Sequence, residues 1–187
     1  MVATMSKPII AILAGHYGSR TGASYGTHDE WSYARRDALM LYSELIRDDV
    51  LMPILEPLET KQGNNKLKSI REAAAWANMH NAAVVIEFHY NSADSQDRNI
   101  KGNELVVPSE TAFSVVLDKA LATLPNKHRR ILVDPELELF ENIDVPVAII
   151  ESAFVWEPEI ETPEWGAMLA VAVKQALYKY FKGVQYD

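Results

Sequence analysis

The chain has 187 residues, 48% of them hydrophobic, which suits one folded domain with its own core and excludes a disordered chain. A net charge of −8 argues against nucleic acid or an anionic membrane surface as partner, and no apolar run approaches the roughly 20 residues a membrane helix needs. Cysteine is absent, which removes disulfides, thiolate metal sites and a cysteine nucleophile; a metal site here must use His with Asp or Glu.

The polar amino terminus, Met1 to Lys7, leads into an apolar run too short for a signal-peptide core, so no secretion signal is expected; Met5 is a second candidate start. Lys7 to Leu13 is the first predicted strand, running into Ala14-Gly15-His16-Tyr17-Gly18. Ala14 to Asp29 is a loop with glycines at 15, 18, 22 and 26, long enough to suggest a functional role. A helix opens at Glu30 behind the N-cap candidate Asp29, with Trp31, Ala34, Ala38, Leu41 and Leu45 on one stripe. Leu51 to Leu55 is a short strand and Glu56 to Lys66 a polar loop. Leu67, Ile70, Ala74 and Ala77 mark a second helix that ends near His80-Asn81.

Val84 to His89 reads as a buried parallel strand, β-branched and almost continuously apolar, ending before the turn-prone Asn91 and Ser92. A polar loop reaches Lys101, Gly102 to Val107 is another strand, and Ser109 is predicted to cap an amphipathic helix that Pro125-Asn126 stops. Lys127-His128-Arg129-Arg130 reads as a short solvated turn, and Leu137 to Ile143 as a short strand or turn. Val145 to Glu151 is the last buried strand. Thr162-Pro163 opens the final helix, whose inner face is Trp165, Leu169, Ala172, Ala176 and Tyr180. Strands alternating with helices predict an α/β fold with helices on both faces of the sheet, in a single domain spanning 1–187 with its core at about 7–181.

No G-x-S-x-G elbow, Walker loop, G-x-G-x-x-G or H-E-x-x-H occurs, so serine-hydrolase, phosphate-loop and nicotinamide chemistry have no support. What remains is His16, Glu30, His89 and Glu151. Each of the three main apolar strands delivers one of His16, His89 and Glu151 at its carboxyl end, where open α/β sheets bind ligands. Two histidines and a carboxylate are a common zinc set in hydrolytic sites. Each residue has a plainer reading as well. His89 alone reads as a satisfied core histidine, Glu30 as an ordinary first-turn glutamate with His28 and Asp29 competing as ligands, and Glu151 as the ion-pair partner of an arginine such as Arg71. A carboxylate directly after six mostly branched apolar residues is costly to bury without a purpose, and desolvation raises its pKa towards the range of a general base. His80 and His128 read as surface residues.

Together, Ile12-Leu13-Ala14-Gly15-His16-Tyr17-Gly18, the loop to Glu30, Arg71 with Ala77-Asn78, Phe88-His89-Tyr90-Asn91 and Val145 through Phe154 resemble the zinc-dependent N-acetylmuramoyl-L-alanine amidases, the type 3 amidase catalytic domain of autolysins and phage endolysins. The resemblance runs from about Lys7 to Phe181. It implies a twisted, mostly parallel mixed sheet flanked by helices (phosphorylase/hydrolase-like), one zinc ion on His16, Glu30 and His89, and Glu151 as the catalytic glutamate. It further implies peptidoglycan as substrate, cut between the lactyl group of muramic acid and L-alanine. Tyr90 and Asn91, just after His89, are candidate substrate contacts.

The chain departs from the family pattern at Leu13, where an Asp is usual, and at Tyr17, where a second Gly is usual; loss of the Asp is expected to weaken or reorient metal binding. Val155-Trp156-Glu157-Pro158-Glu159 is bulkier than the usual small polar turn. No separate wall-binding domain is expected, and a monomer is. Synthesis in the cytoplasm and action at the bacterial cell wall are expected, reached through a pore or lysis if the enzyme is phage-derived. The rival readings are a zinc peptidase or carboxypeptidase acting on wall peptides and a peptidoglycan-binding module that has lost catalysis.

Overall fold

The computed structural model describes residues 6–16, 22–57, 66–93 and 99–183, with side chains omitted for 66–68. Tyr17 and Gly18, most of the loop from Glu56 to Lys66 and part of the loop from Asn91 to Lys101 lie outside the described residues. Alternating apolar runs and helical stripes produce, in order, β1 (Ile9–Ala14), β2 (Ser24–Tyr25), β3 (His28–Asp29), α1 (Glu30–Leu45), β4 (Met52–Leu55), α2 (Lys66–Met79), β5 (Val84–Asn91), β6 (Asn103–Val107), α3 (Ala112–Leu121), β7 (His128–Val133), α4 (Glu138–Glu141), β8 (Val147–Phe154) and α5 (Pro163–Gly183). A 3₁₀ turn, Pro158–Glu161, precedes α5.

Among the described residues one six-stranded sheet carries the order β4-β1-β5-β8-β6-β7, and β2 pairs with β3 as a separate hairpin. β4, β1, β5 and β8 are mutually parallel; β6 runs antiparallel to β8, and β7 parallel to β6. This is the mostly parallel mixed α/β sheet that the sequence predicts. The side-chain period of two sorts the strands onto two faces. Ile10, Ile12, Ile86, Phe88, Tyr90, Leu105 and Ile150 join α1, α3 and α5 in the larger core. Ala11, Leu13, Val85, Val106 and Ile149 pack under α2 and α4. The chain leaves β1 through α1 towards β4, and leaves β5 in the opposite direction towards β6. The carboxyl ends of β1 and β5 therefore flank the switch point, where such sheets form their ligand crevice.

Several elements differ from their sequence reading. Lys127 to Arg130 is not a solvated turn: His128 begins β7, with Nδ1 2.5 Å from Asn103 Oδ1 and Nε2 2.7 Å from Asp118. Arg129 and Arg130 pair with the buried Glu104 at 3.5 and 2.5 Å, so cations that read as a surface cluster neutralise an acid inside the sheet. Thr111 caps α3 in place of Ser109, because Thr111 and Ser114 form a reciprocal capping box. Leu137 to Ile143 holds the one-turn helix α4, neither strand nor plain turn. On α1, Trp31 is only half-buried and Asp37 takes a place on the inner stripe. β8 extends three residues past Glu151.

Candidate active site

The site begins where β1 ends. The Gly15 N–H donates to Phe88 O at 2.7 Å, which holds the chain leaving β1 against β5. A Cβ at Gly15 would overlap the His89 ring, so only glycine allows this approach. His16 follows with φ 58°, a left-handed conformation uncommon for a residue with a side chain and concentrated at functional sites. Gly22, with φ +78°, sits where a Cβ would collide with Glu30 Oε2 and the His16 ring. Two glycines of the long loop are thus explained by close approach to the site.

Glu30 lies in the first turn of α1, where a carboxylate meets the positive end of the helix dipole. Asp29 caps this helix by accepting from the Ser32 N–H at 2.9 Å, as its sequence position predicts. The same contact, with the Ser32 hydroxyl at 2.7 Å, commits the Asp29 carboxylate to the helix end. His28 turns to Val155 O and Glu161, at 3.2 and 3.3 Å. Of the competing candidates, Glu30 is the one that enters the cleft. Its Oε2 is 3.1 Å from His16 Nε2 and accepts from the Ala23 N–H; its Oε1 is 2.8 Å from His89 Nδ1 and accepts from the Tyr90 N–H.

The ligand atoms of His16, Glu30 and His89 all lie within 4.8 Å of one another, and the two imidazoles meet edge to face at 5.1 Å. Two imidazoles and one carboxylate within reach of one another, with glycines clearing space beside them, form a donor set that could hold a divalent metal ion such as zinc. In the metal-free protein, burial by itself would raise the Glu30 pKa, but hydrogen bonds and charge from His16 and His89 outweigh it and hold the carboxyl well below the usual range. Burial pulls the His89 pKa down, yet the charge of Glu87 and the bonds to Glu30 and Glu87 dominate and push it up to about 10. A cation arriving there displaces a proton from the same cage of acids.

Glu151 stands on β8 in direct register with His89 on β5 and with Glu104 on β6. Between the pairs His89↔Glu151 and Asn91↔Phe154 the register shifts by one residue on β8, a bulge immediately after Glu151. Bulges of this kind re-aim side chains beside active sites. Glu151 is half-buried, and among the described residues its Oε2 has no hydrogen-bond partner. Burial pushes its carboxyl up to about 7, with Glu30, Glu104 and Glu87 adding to the rise and His89 opposing it. The structural alternative from the sequence does not hold: Arg71 pairs with Glu138 at 2.5 Å.

His16, Glu30, His89 and Glu151 line one cleft of about 350 Å³, together with Asn91 and the apolar side chains of α2 and α4. Asn91 borders this cleft half-buried, its Nδ2 3.4 Å from Glu104. The Tyr90 side chain does not enter the cleft, contrary to the expectation that it contacts substrate. It points to the opposite face, 1% exposed, where the hydroxyl donates to Asp37 at 2.5 Å and accepts from Trp165 Nε1 and Arg36 at 3.0 Å. The period of two along β5 forces this, since Tyr90 must face away from its neighbour His89. Only its backbone serves the site. The same period places Glu87 on the His89 face, and sequence reading passed over it as one more residue of a buried strand. Its Oε2 lies 3.2 Å from His89 Nε2.

The fold is similar to that of the catalytic domain of CwlV, an N-acetylmuramoyl-L-alanine amidase of Bacillus (Paenibacillus) polymyxa var. colistinus, with TM-score 0.79 and 17% identity over 94% of this chain and 98% of that one. It is equally similar to an N-acetylmuramoyl-L-alanine amidase of Clostridium difficile 630, with TM-score 0.79 and 16% identity over 95% and 98% of the two chains. The catalytic domain of the CD27L endolysin, which targets Clostridia difficile, matches with TM-score 0.75 and 20% identity over 92% and 97%. Among curated proteins none matches. The Amidase_3 family model, described as N-acetylmuramoyl-L-alanine amidase, matches residues 10–178, and with nearly the whole sequence spanned the chain belongs to this amidase family.

Proposed function

We propose that this amidase hydrolyses the amide between the lactyl group of N-acetylmuramic acid and L-alanine in peptidoglycan, using one zinc ion held by His16, Glu30 and His89, with Glu151 as its proton carrier. The observation that carries the reading is Glu151 itself. An unpartnered carboxylate oxygen, on a group that burial raises to about 7 in the metal-free protein, stands in register with a histidine of a two-His, one-Glu cluster lining one cleft. Zinc bound there supplies Lewis-acid polarisation of a carbonyl and acidifies water to a pKa of about 7.

The protein's own residues do the rest. Glu30 and the two imidazoles form a cage that glycines 15 and 22 leave room for. Glu151 accepts a proton from the attacking water and returns it to the leaving L-alanine amine, a role that requires a pKa near the working pH. Asn91, which lines the cleft, contributes a side-chain amide as a hydrogen-bonding group for the substrate. Ile70, Leu137 and Leu139 add apolar side chains to the lining of the same cleft. The place of action is the bacterial cell wall. Turbidity clearing of purified walls tests the reading: clearing should stop after chelation and return with zinc. Clearing that continues in a fully demetallated sample would contradict it.

A further inference from the structure

We infer that Glu87 is a positioning residue for the metal centre, holding the His89 imidazole with one nitrogen committed to Glu87 and the other free to face the metal. The inference rests on the reading that His16, Glu30 and His89 hold the ion.

Glu87 is only 6% exposed. The register puts it in a row with Leu13 on β1, Ile149 on β8 and Val106 on β6. These three are apolar and buried, so Glu87 is the one charged member of the row. A carboxylate in such a row is unfavourable by several kcal/mol unless it is bonded. Its Oε2 reaches His89 Nε2 at 3.2 Å, while Nδ1 of the same ring faces Glu30 Oε1 at 2.8 Å. The ring is gripped at both nitrogens, and Gly15 packs against its face. An imidazole ligand needs a lone pair on the nitrogen that meets the metal and a proton on the other. A carboxylate at Nε2 keeps the proton there and directs Nδ1 into the cage, which also strengthens the ring as a donor. β1 offers no such support, because the residue paired with Glu87 on that strand is Leu13. The acid expected from β1 is thus supplied from the next strand, one register position across.

The test measures zinc affinity by competition with a chromophoric chelator in wild type, Glu87→Leu, Glu87→Gln and His89→Ala. Metal-free Glu87→Leu should still unfold cooperatively, showing an intact fold, while binding zinc 10- to 100-fold more weakly, the range for outer-sphere partners. Its cobalt(II) form should also show a shifted visible absorption band, a readout of ligand geometry that a merely structural role would leave alone. An affinity in Glu87→Leu equal to wild type overturns the proposal. If Glu87→Leu fails to fold, Glu87→Gln decides: weakened zinc binding supports positioning, and unchanged binding assigns Glu87 to the fold alone and overturns it. The two controls keep the underlying reading separate. Wild type that takes up no zinc, or His89→Ala that binds it fully, defeats the ligand assignment itself.

Discussion

Replacing Glu151 by glutamine separates catalysis from structure because the two roles push stability in opposite directions. The amide is nearly isosteric and occupies the same half-buried place in register with His89. It accepts no proton, so kcat should fall by about 10²–10⁴, the usual contribution of a positioned acid–base group. Zinc content should not change, since Glu151 lies outside the ligand cluster. Stability follows from linkage. In the folded metal-free protein the carboxyl is raised from 4.5 to about 7. A raised carboxyl binds its proton more tightly when folded, so its favourable contribution is complete below about pH 4.5 and lost as pH rises through about 7. Above pH 7 the wild type carries an ionised, unpartnered carboxylate that glutamine does not. At about 1.4 kcal/mol for each tenfold in acidity the ceiling is about 3 kcal/mol, and partial solvation reduces the expected gain to about 1–2 kcal/mol. Urea unfolding of both metal-free proteins at pH 8 and pH 4.5 reads this: Glu151→Gln should be the more stable at pH 8, with the difference closing at pH 4.5. A variant that is active, or clearly less stable than wild type at pH 8, would refute the reasoning.

The metal cage gives further tests. His16→Ala and His89→Ala should each abolish stoichiometric zinc by elemental analysis, and full occupancy in either would sink the assignment. Glu30→Ala should weaken zinc binding far more than His28→Ala, since His28 is turned to Val155 and Glu161; the reverse order would move the ligand. Zinc binding near pH 7.5 should release about one proton, because His89 in the metal-free protein is held protonated up to about 10; calorimetry in buffers of different ionisation enthalpy measures this, and no release would contradict it. Tyr90→Phe should cost about 1–3 kcal/mol in thermal unfolding, as it strands the buried Asp37 and Trp165 partners; a neutral substitution would show that the network adds nothing.

Much of this site was legible because its parts sit at strand and helix ends. His16, His89 and Glu151 each follow an apolar run, and Glu30 stands behind a visible cap, so periodicity and punctuation suffice to find them. Their convergence was not legible, since it depends on the order β1-β5-β8, which no local pattern encodes. The β7 strand was missed for a related reason. Its arginines look solvated until Glu104, 25 and 26 residues away, is seen to lie against them. The period of two did hold the answer for Tyr90 and Glu87: strict alternation from His89 sends the first away from the cleft and brings the second onto its face. The bulge after Glu151 left no sequence signature, because the extra residue follows only from pairing with β5.

The central claim is that this site cuts one particular amide with the help of a metal. Mass spectrometry of purified peptidoglycan after digestion tests it most directly, with native enzyme, chelated enzyme and chelated enzyme given back zinc. We expect stem peptides with a free L-alanine amino terminus and glycan strands that retain intact lactyl groups, lost on chelation and restored by zinc. Cleavage within the stem peptide, or L-alanine release that is indifferent to chelation, would contradict the account.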